Sequence, residues 1–116
     1  MSVTPLGRLL RNIRKSTHEL LKDMASALDI SVAQLSAIEL GKRGMSPDVA
    51  EKLLAAYDVP VNREQLSILI DSSQQVYKED FKDATEKQRD AFVLFARKYK
   101  ELPETELNTI LEKLQK

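Results

Sequence analysis

Between residues 20 and 43 the chain reads LLKDMASALDISVAQLSAIELGKR, two apolar patterns of helical period separated by a turn too short for anything but a sharp bend. In the first, Leu21, Met24, Ala25 and Leu28 recur at spacings of three and four, which gathers them on one face of a helix. Asp29 interrupts the pattern, Ile30 follows as an apolar plug, and Ser31 is a good N-cap. Gln34 completes an S-x-x-Q capping box, in which two side chains satisfy amide donors that the first helical turn leaves unpaired. A second helix is therefore predicted to start at Ser31. Its buried face is Leu35 and Ile38, with Ala37 or Leu40 beside them; Val32, Ala33 and Ser36 point outward, and Gly41 supplies a left-handed stop. Two helices joined by so few residues make a helix-turn-helix, a bend that presents its second helix at the surface.

The rest of the chain reads as helix as well. Thr4 before Pro5 is a cap with proline at the first helical position, and Leu6, Leu9, Leu10 and Ile13 form an apolar stripe to about Lys15. Ser16 and Glu19 form an S-x-x-E box that predicts the next helix to begin near Thr17. Ser46, Pro47 and Asp48 open a fourth helix with Val49, Leu53 and Tyr57 inward, ended by Asp58, Val59 and Pro60. Asn62 caps a fifth carrying Leu66, Leu69 and Ile70. From Asp71 to Asp83 the helical period is absent: Ser72, Ser73, Gln74 and Gln75 offer little apolar surface, and Val76 and Tyr77 favour a short extended segment or strand. A T-x-x-Q box at Thr85 and Gln88 opens a helix whose wide apolar face is Ala91, Phe92, Phe95, Ala96 and Tyr99, broken by Leu102 and Pro103. The last helix carries Leu107, Ile110, Leu111 and Leu114, with acids early and lysines late as the helix dipole favours.

A chain of 116 residues with 42% hydrophobic content can bury one compact core and is too short for two full domains. The expected class is all-α, organised as a helix-turn-helix domain over residues 1–70, a linker over 71–84 with the short extended segment, and a C-terminal helical hairpin over 85–116. A net charge of zero argues against a nonspecific nucleic-acid coat protein, yet the charge is uneven. Arg8, Arg11, Arg14 and Lys15 precede the first acidic residue, Glu19, and Lys42 and Arg43 form a second basic spot just past the helix that Ser31 opens. The absence of cysteine excludes disulfides, thiolate chemistry and the usual cysteine zinc sites. No apolar run approaches the roughly 20 residues that span a bilayer and the N-terminus lacks a signal peptide's apolar core, so the expectation is a cytoplasmic chain without membrane association.

The segment from about Pro5 to Val59 resembles the XRE family, the helix-turn-helix domains related to phage repressor and Cro. The family's "LA" pair stands here as Met24 and Ala25, its "G-V-S" turn as Asp29, Ile30 and Ser31, and its "I-S-x-I-E-x-G" recognition helix as the run from Leu35 through Ser36, Ala37, Ile38, Glu39 and Leu40 to Gly41. Lys42 and Arg43 match the trailing basic pair, and Arg14 falls where the family often places a helix 1 arginine that pairs with the recognition-helix glutamate, here Glu39. The chain departs from the pattern at Asp29, usually glycine, at Leu20 and Leu21, where many members carry a glutamine or serine that contacts DNA, and at Leu40, commonly polar. The tail LFARKYKELPETEL is similar to the tails of phage-type and mobile-element regulators. The resemblance implies a compact five-helix, repressor-like domain that regulates transcription.

On that resemblance, Val32, Ala33, Gln34, Ser36 and Ala37 occupy the positions that read base edges in the major groove. They offer mostly methyl-bearing surface, suited to thymine methyls; Gln34 could pair with adenine, but its capping role competes, so preference leans on DNA shape and on the loop after Gly41. The expected backbone contacts are Lys42 and Arg43, with Arg11, Lys15 and Lys22 behind them and Leu21 through its helix N-terminal amide. Arg14 and Glu39 are expected to form a structural ion pair. His18 is the lone histidine, and no carboxylate has a histidine or cysteine partner, so no catalytic constellation, cofactor or metal is expected. Phe92, Phe95, Tyr99, Leu107, Ile110, Leu111 and Leu114 exceed what a short hairpin buries by itself. A C2 homodimer would cover them and supply the symmetry of a palindromic operator in double-stranded DNA. Two other readings stand beside this one. In an antitoxin-like regulator the hairpin binds a toxin or a metalloprotease, the latter cleaving near residues 71–83. In a pure interaction module, Leu20, Leu21 and Leu40 form a binding patch in place of DNA contacts.

Overall fold

The computed structural model describes residues 2–116, and every regular element among them is helical. The chain forms two compact units, Met1–Tyr77 and Lys78–Lys116. In the first, α1 spans Pro5–Thr17, α2 Leu21–Ala27, α3 Val32–Glu39, α4 Pro47–Ala56 and α5 Arg63–Ser72. In the second, α6 spans Glu86–Lys98 and α7 Glu104–Leu114, with a 3-10 turn at Tyr99–Glu101 between them.

Caps written in the sequence set most starts. Thr4 Oγ1 accepts from the Gly7 N–H at 3.1 Å, and Pro5 enters at the first helical position, where it has no amide to lose. Ser46 accepts from the Val49 N–H at 3.2 Å, and Asn62 from the Gln65 N–H at 2.8 Å. The start of α2 differs from the prediction. Ser16 and Glu19 make no capping box: the hydroxyls of Ser16 and Thr17 donate back to the Ile13 carbonyl at 2.9 and 3.0 Å, which prolongs α1 to Thr17. His18 then leaves the helix in the left-handed region (φ 58°), and α2 begins four residues later than expected, at Leu21.

The core of the first unit gathers Leu6, Leu10 and Ile13 from α1, Met24, Ala25 and Leu28 around α2, Leu35 and Ile38 from α3, then Met45, Val49, Leu53 and Leu66. α3 packs on both α1 and α2, α2 also meets α4, and α1 meets α5. The bend between α2 and α3 needs Asp29 in the left-handed region (φ 57°), a conformation that aspartate tolerates better than most side chains. Ile30 follows with its N–H on the Ala25 carbonyl at 3.0 Å and its side chain against the core.

Residues 71–84 depart from the expected linker in two ways. α5 continues to Ser72, and Ser73 is buried, its hydroxyl accepting from the Leu6 N–H at 3.0 Å. Val76 and Tyr77 are exposed and form no strand, since among the described residues there is no second strand with which their backbone could pair.

Within the second unit, residues 81–84 turn onto the start of α6. Arg89 donates to the carbonyls of Phe81 at 2.6 Å and Ala84 at 3.3 Å, and the Phe81 ring meets Phe92 edge-on at 5.6 Å. Thr85 and Gln88 close the capping box that the sequence suggests. Neither α6 nor α7 buries a single residue.

Candidate nucleic-acid interface

Ser31 and Gln34 hold the N-terminus of α3 by a reciprocal box: Ser31 Oγ accepts from the Gln34 N–H at 3.0 Å, and Gln34 Oε1 accepts from the Ser31 N–H at 2.9 Å. The carbonyl of Gln34 is thereby directed at its own helix, and its side-chain amide is left to donate outward. A bidentate contact to adenine, which needs both ends of the amide, competes with the box. Val32 and Ala33 are exposed, whereas Gln34, Ser36 and Ala37 are half-buried. The outward surface of α3 is therefore apolar and small, with one hydroxyl and one amide.

The other end of α3 is fastened from inside. Glu39 is buried, and its carboxylate receives Arg14 through both terminal nitrogens, one to each oxygen. Arg11 adds its Nε at 3.2 Å. Arg14 also reaches Met24 Sδ at 3.4 Å, tying α1, α2 and α3 into one polar knot inside an apolar core. The Glu39 carbonyl accepts from both the N–H and the hydroxyl of Thr4, at 3.1 and 3.0 Å. A buried carboxylate is tolerable when its lost hydration is replaced in this way, and the geometry fixes α3 against α1. Arg11 thus differs from the free backbone contact the sequence suggests. Its guanidinium is already engaged with Glu39, although its side chain remains 53% exposed.

Past α3, Gly41 takes φ 75°, the left-handed conformation that lets the chain reverse, and the N–H groups of Lys42 and Arg43 both reach the Ala37 carbonyl, at 3.0 and 3.3 Å. The side chains of Lys42 and Arg43 are exposed, and among the described residues neither joins an ion pair. Lys15 and Lys22 are likewise exposed and unpaired among the described residues. At the start of α2 the carboxylate of Asp23 already accepts from the Leu20 N–H at 2.8 Å. A phosphate approaching the Leu21 amide would meet that negative charge, which counts against the backbone contact expected there. Leu21 itself packs against the core, while Leu20 is 62% exposed.

A family model described as a helix-turn-helix domain matches residues 5–66, just over half of the chain. The chain belongs to that family. The match runs from the start of α1 into α5, so the exposed face of α3, the Glu39 knot and the Lys42–Arg43 loop all lie inside the helix-turn-helix domain. Membership supports a DNA-binding regulator. No curated protein and no solved structure matches the chain. No helix among the described residues is long and apolar enough to cross a membrane.

The second unit lies beyond the helix-turn-helix match. There Phe92, Phe95, Tyr99, Leu111 and Leu114 are exposed, Leu107 and Ile110 are half-buried, and Phe95 stacks on Tyr99 at 5.9 Å. Three features of the helix-turn-helix unit escaped the sequence reading. Thr4 reads as a cap for α1, and nothing local signals its second role at the end of α3. Arg11 and Arg14 stand three apart on one face of α1, but nothing local in the sequence brings Arg11 to Glu39, 28 residues on; only the packed structure joins the three. Ser73 looks like linker because it is polar, although a buried hydroxyl with a partner suits the core equally well.

Proposed function

We propose that this chain is a sequence-specific transcriptional regulator of the XRE type, a homodimeric repressor of the kind found in phages and mobile elements. The observation that carries the reading is a firmly fastened α3 whose outward face, Val32, Ala33, Gln34, Ser36 and Ala37, is followed by two exposed cations, Lys42 and Arg43, that join no ion pair among the described residues. In this reading α3 enters the major groove, where its methyl groups meet thymine methyls, and Lys42 and Arg43 hold backbone phosphates, with Lys15 and Lys22 as outer contacts. Arg11 and Arg14 act chiefly through Glu39, setting the angle at which α3 is offered. Phe92, Phe95 and Tyr99 join Leu107, Ile110, Leu111 and Leu114 in pairing two copies, so that two recognition helices meet a palindromic operator about one turn apart, roughly 34 Å.

The exposed aromatic face of α6 also favours a second reading, in which the hairpin takes a different chain, such as a toxin or a metalloprotease, and the first unit controls its own promoter. A module that binds protein alone would rest on Leu20, which is exposed at the start of α2. The discriminating experiment is fluorescence-anisotropy binding to the DNA immediately upstream of the chain's own reading frame, with a scrambled duplex beside it and a salt series for both. Tight, salt-sensitive binding to the upstream duplex alone supports the regulator. Equal weakness on both duplexes removes it and leaves the interaction module.

A further inference from the structure

We propose that Gln74 and Gln75, just beyond α5, complete a cradle with Lys42 and Arg43 that holds a phosphate of the DNA backbone. The proposal rests on the reading of Lys42 and Arg43 as backbone contacts and extends it to a segment some thirty residues away, outside the matched helix-turn-helix region. A cavity of about 220 Å³ is lined by residues 41–44 at the exit of α3 and by Gln74, Gln75 and Val76. No carboxylate is among the residues that line it, and two cations without an ion pair among the described residues line it together with two glutamines. Lysine, arginine and glutamine all donate N–H groups, and a phosphate oxygen accepts from each of them.

The chain is held there by close packing at Ser73, Gly41 and Gly44. Ser73 is buried and takes the Leu6 N–H at 3.0 Å, which pins the end of α5 beside the start of α1. Its carbonyl lies against Gly41: a Cβ built at Gly41 would come within 2.6 Å of it. The Gln74 amide lies against Gly44, where an added Cβ would come within 2.6 Å of Nε2. The exit of the recognition helix and the exit of α5 are thus packed together, and the glutamines arrive beside the two cations on a fixed backbone.

The test compares three full-length variants with the wild type on the upstream and scrambled duplexes, each across a salt series. Lys42→Ala with Arg43→Ala removes two charges, and the slope of log K against log salt should fall by about 2. Gln74→Ala with Gln75→Ala removes neutral donors from exposed and half-exposed positions. It should weaken both duplexes by the same factor, on the order of ten-fold, while slope and Tm stay as in the wild type. Gln74→Glu with Gln75→Glu should weaken binding further, because carboxylates repel the phosphate. If the cation variant loses slope while the glutamine variants bind as wild type does, the cradle is wrong and the backbone reading survives. A reduced slope in the alanine pair would mean that the glutamines merely position the cations, which also overturns the direct contact. An unchanged slope in the cation variant removes the underlying reading. Inorganic phosphate, exchanged for chloride at constant ionic strength, distinguishes the remaining source. Saturable shifts of the Gln74 and Gln75 side-chain amide resonances without DNA would make this a free-anion site and overturn the DNA assignment.

Discussion

The two units of this chain treat their apolar residues in opposite ways. In the first, Leu10, Met24, Leu28, Leu35 and Leu53 are wholly inaccessible, and even the charged Glu39 is enclosed. In the second, α6 and α7 bury nothing, and Phe92 and Phe95 each remain about two-fifths exposed at 41% and 42%. The second unit, Lys78–Lys116, falls just under the roughly 40 residues below which a chain rarely encloses a core by itself. Its helices are defined by local devices instead: the Thr85 box, the Arg89 bonds to Phe81 and Ala84, and the Pro103 break. The contrast teaches that regular secondary structure is a poor guide to where stability lies. One unit is organised from within, and the other leaves its aromatic and leucine side chains largely exposed.

The largest effect should come from the polar knot that makes the first unit more than an apolar cluster. Glu39→Ala leaves the buried Arg14 without its counter-charge and should destabilise the unit by about 3–5 kcal/mol, read from urea unfolding followed by circular dichroism. Replacing Arg14 by Met and Glu39 by Leu together should restore most of that loss, because no buried charge then stands alone. A loss below about 1 kcal/mol in the single variant would show that water reaches Glu39. The enclosed character of the first unit would then be overstated.

The next effect probes the other side. If α6 is covered by a second copy, Tm should rise with protein concentration in the wild type, since association stabilises only the folded chain. Phe92→Ala with Phe95→Ala should abolish that dependence and cost about 2 kcal/mol or more where the wild type is associated. The first unit should keep its core, visible as unchanged dispersion of the Leu10 and Leu35 methyl resonances. A Tm independent of concentration in the wild type would remove self-association and turn attention to a different partner chain.

The same contrast explains what was legible in the sequence. The all-α class, the order of the helices and most starts could be read because caps and apolar spacing are local: Thr4 with Pro5, Ser31 with Gln34, Ser46 with Pro47, Asn62, and Thr85 with Gln88. The Ser16–Glu19 pair matches the same pattern and fails, because whether a serine caps forward or bonds back to Ile13 depends on where α1 stops, and the left-handed His18 decides that. The convergence of Thr4, Glu39, Gly41 and Ser73 was hidden for a different reason. Each of these contacts has a backbone group on one side, the carbonyls of Glu39 and Ser73 or the amide of Leu6, and a backbone group carries no residue identity for a sequence pattern to register. Ser73 and Gln74 in particular look like solvated linker until packing places one in the core and the other against Gly44.

The smallest effect concerns the margin of the first unit, where α4 ends. Tyr57 closes α4, and its hydroxyl donates to Glu19 Oε2 at 3.2 Å, a bond that links the end of α4 to the turn before α2. Burial raises the phenol above its ordinary value near 10, and the neighbouring Glu19 carboxylate pushes it further in the same direction. A group whose folded value is raised holds its proton more tightly folded than unfolded. Its contribution is therefore complete below about pH 10 and is lost as pH climbs through the folded value. Tyr57→Phe should cost about 1 kcal/mol at neutral pH, the worth of one partly exposed hydrogen bond to a charged acceptor. The difference in Tm between wild type and variant should then shrink above pH 10, while the helices of the second unit respond identically in both. A gap that stays constant through the alkaline range would mean that Tyr57 contributes by ring packing alone, and that the Glu19 contact adds nothing to the enclosed unit.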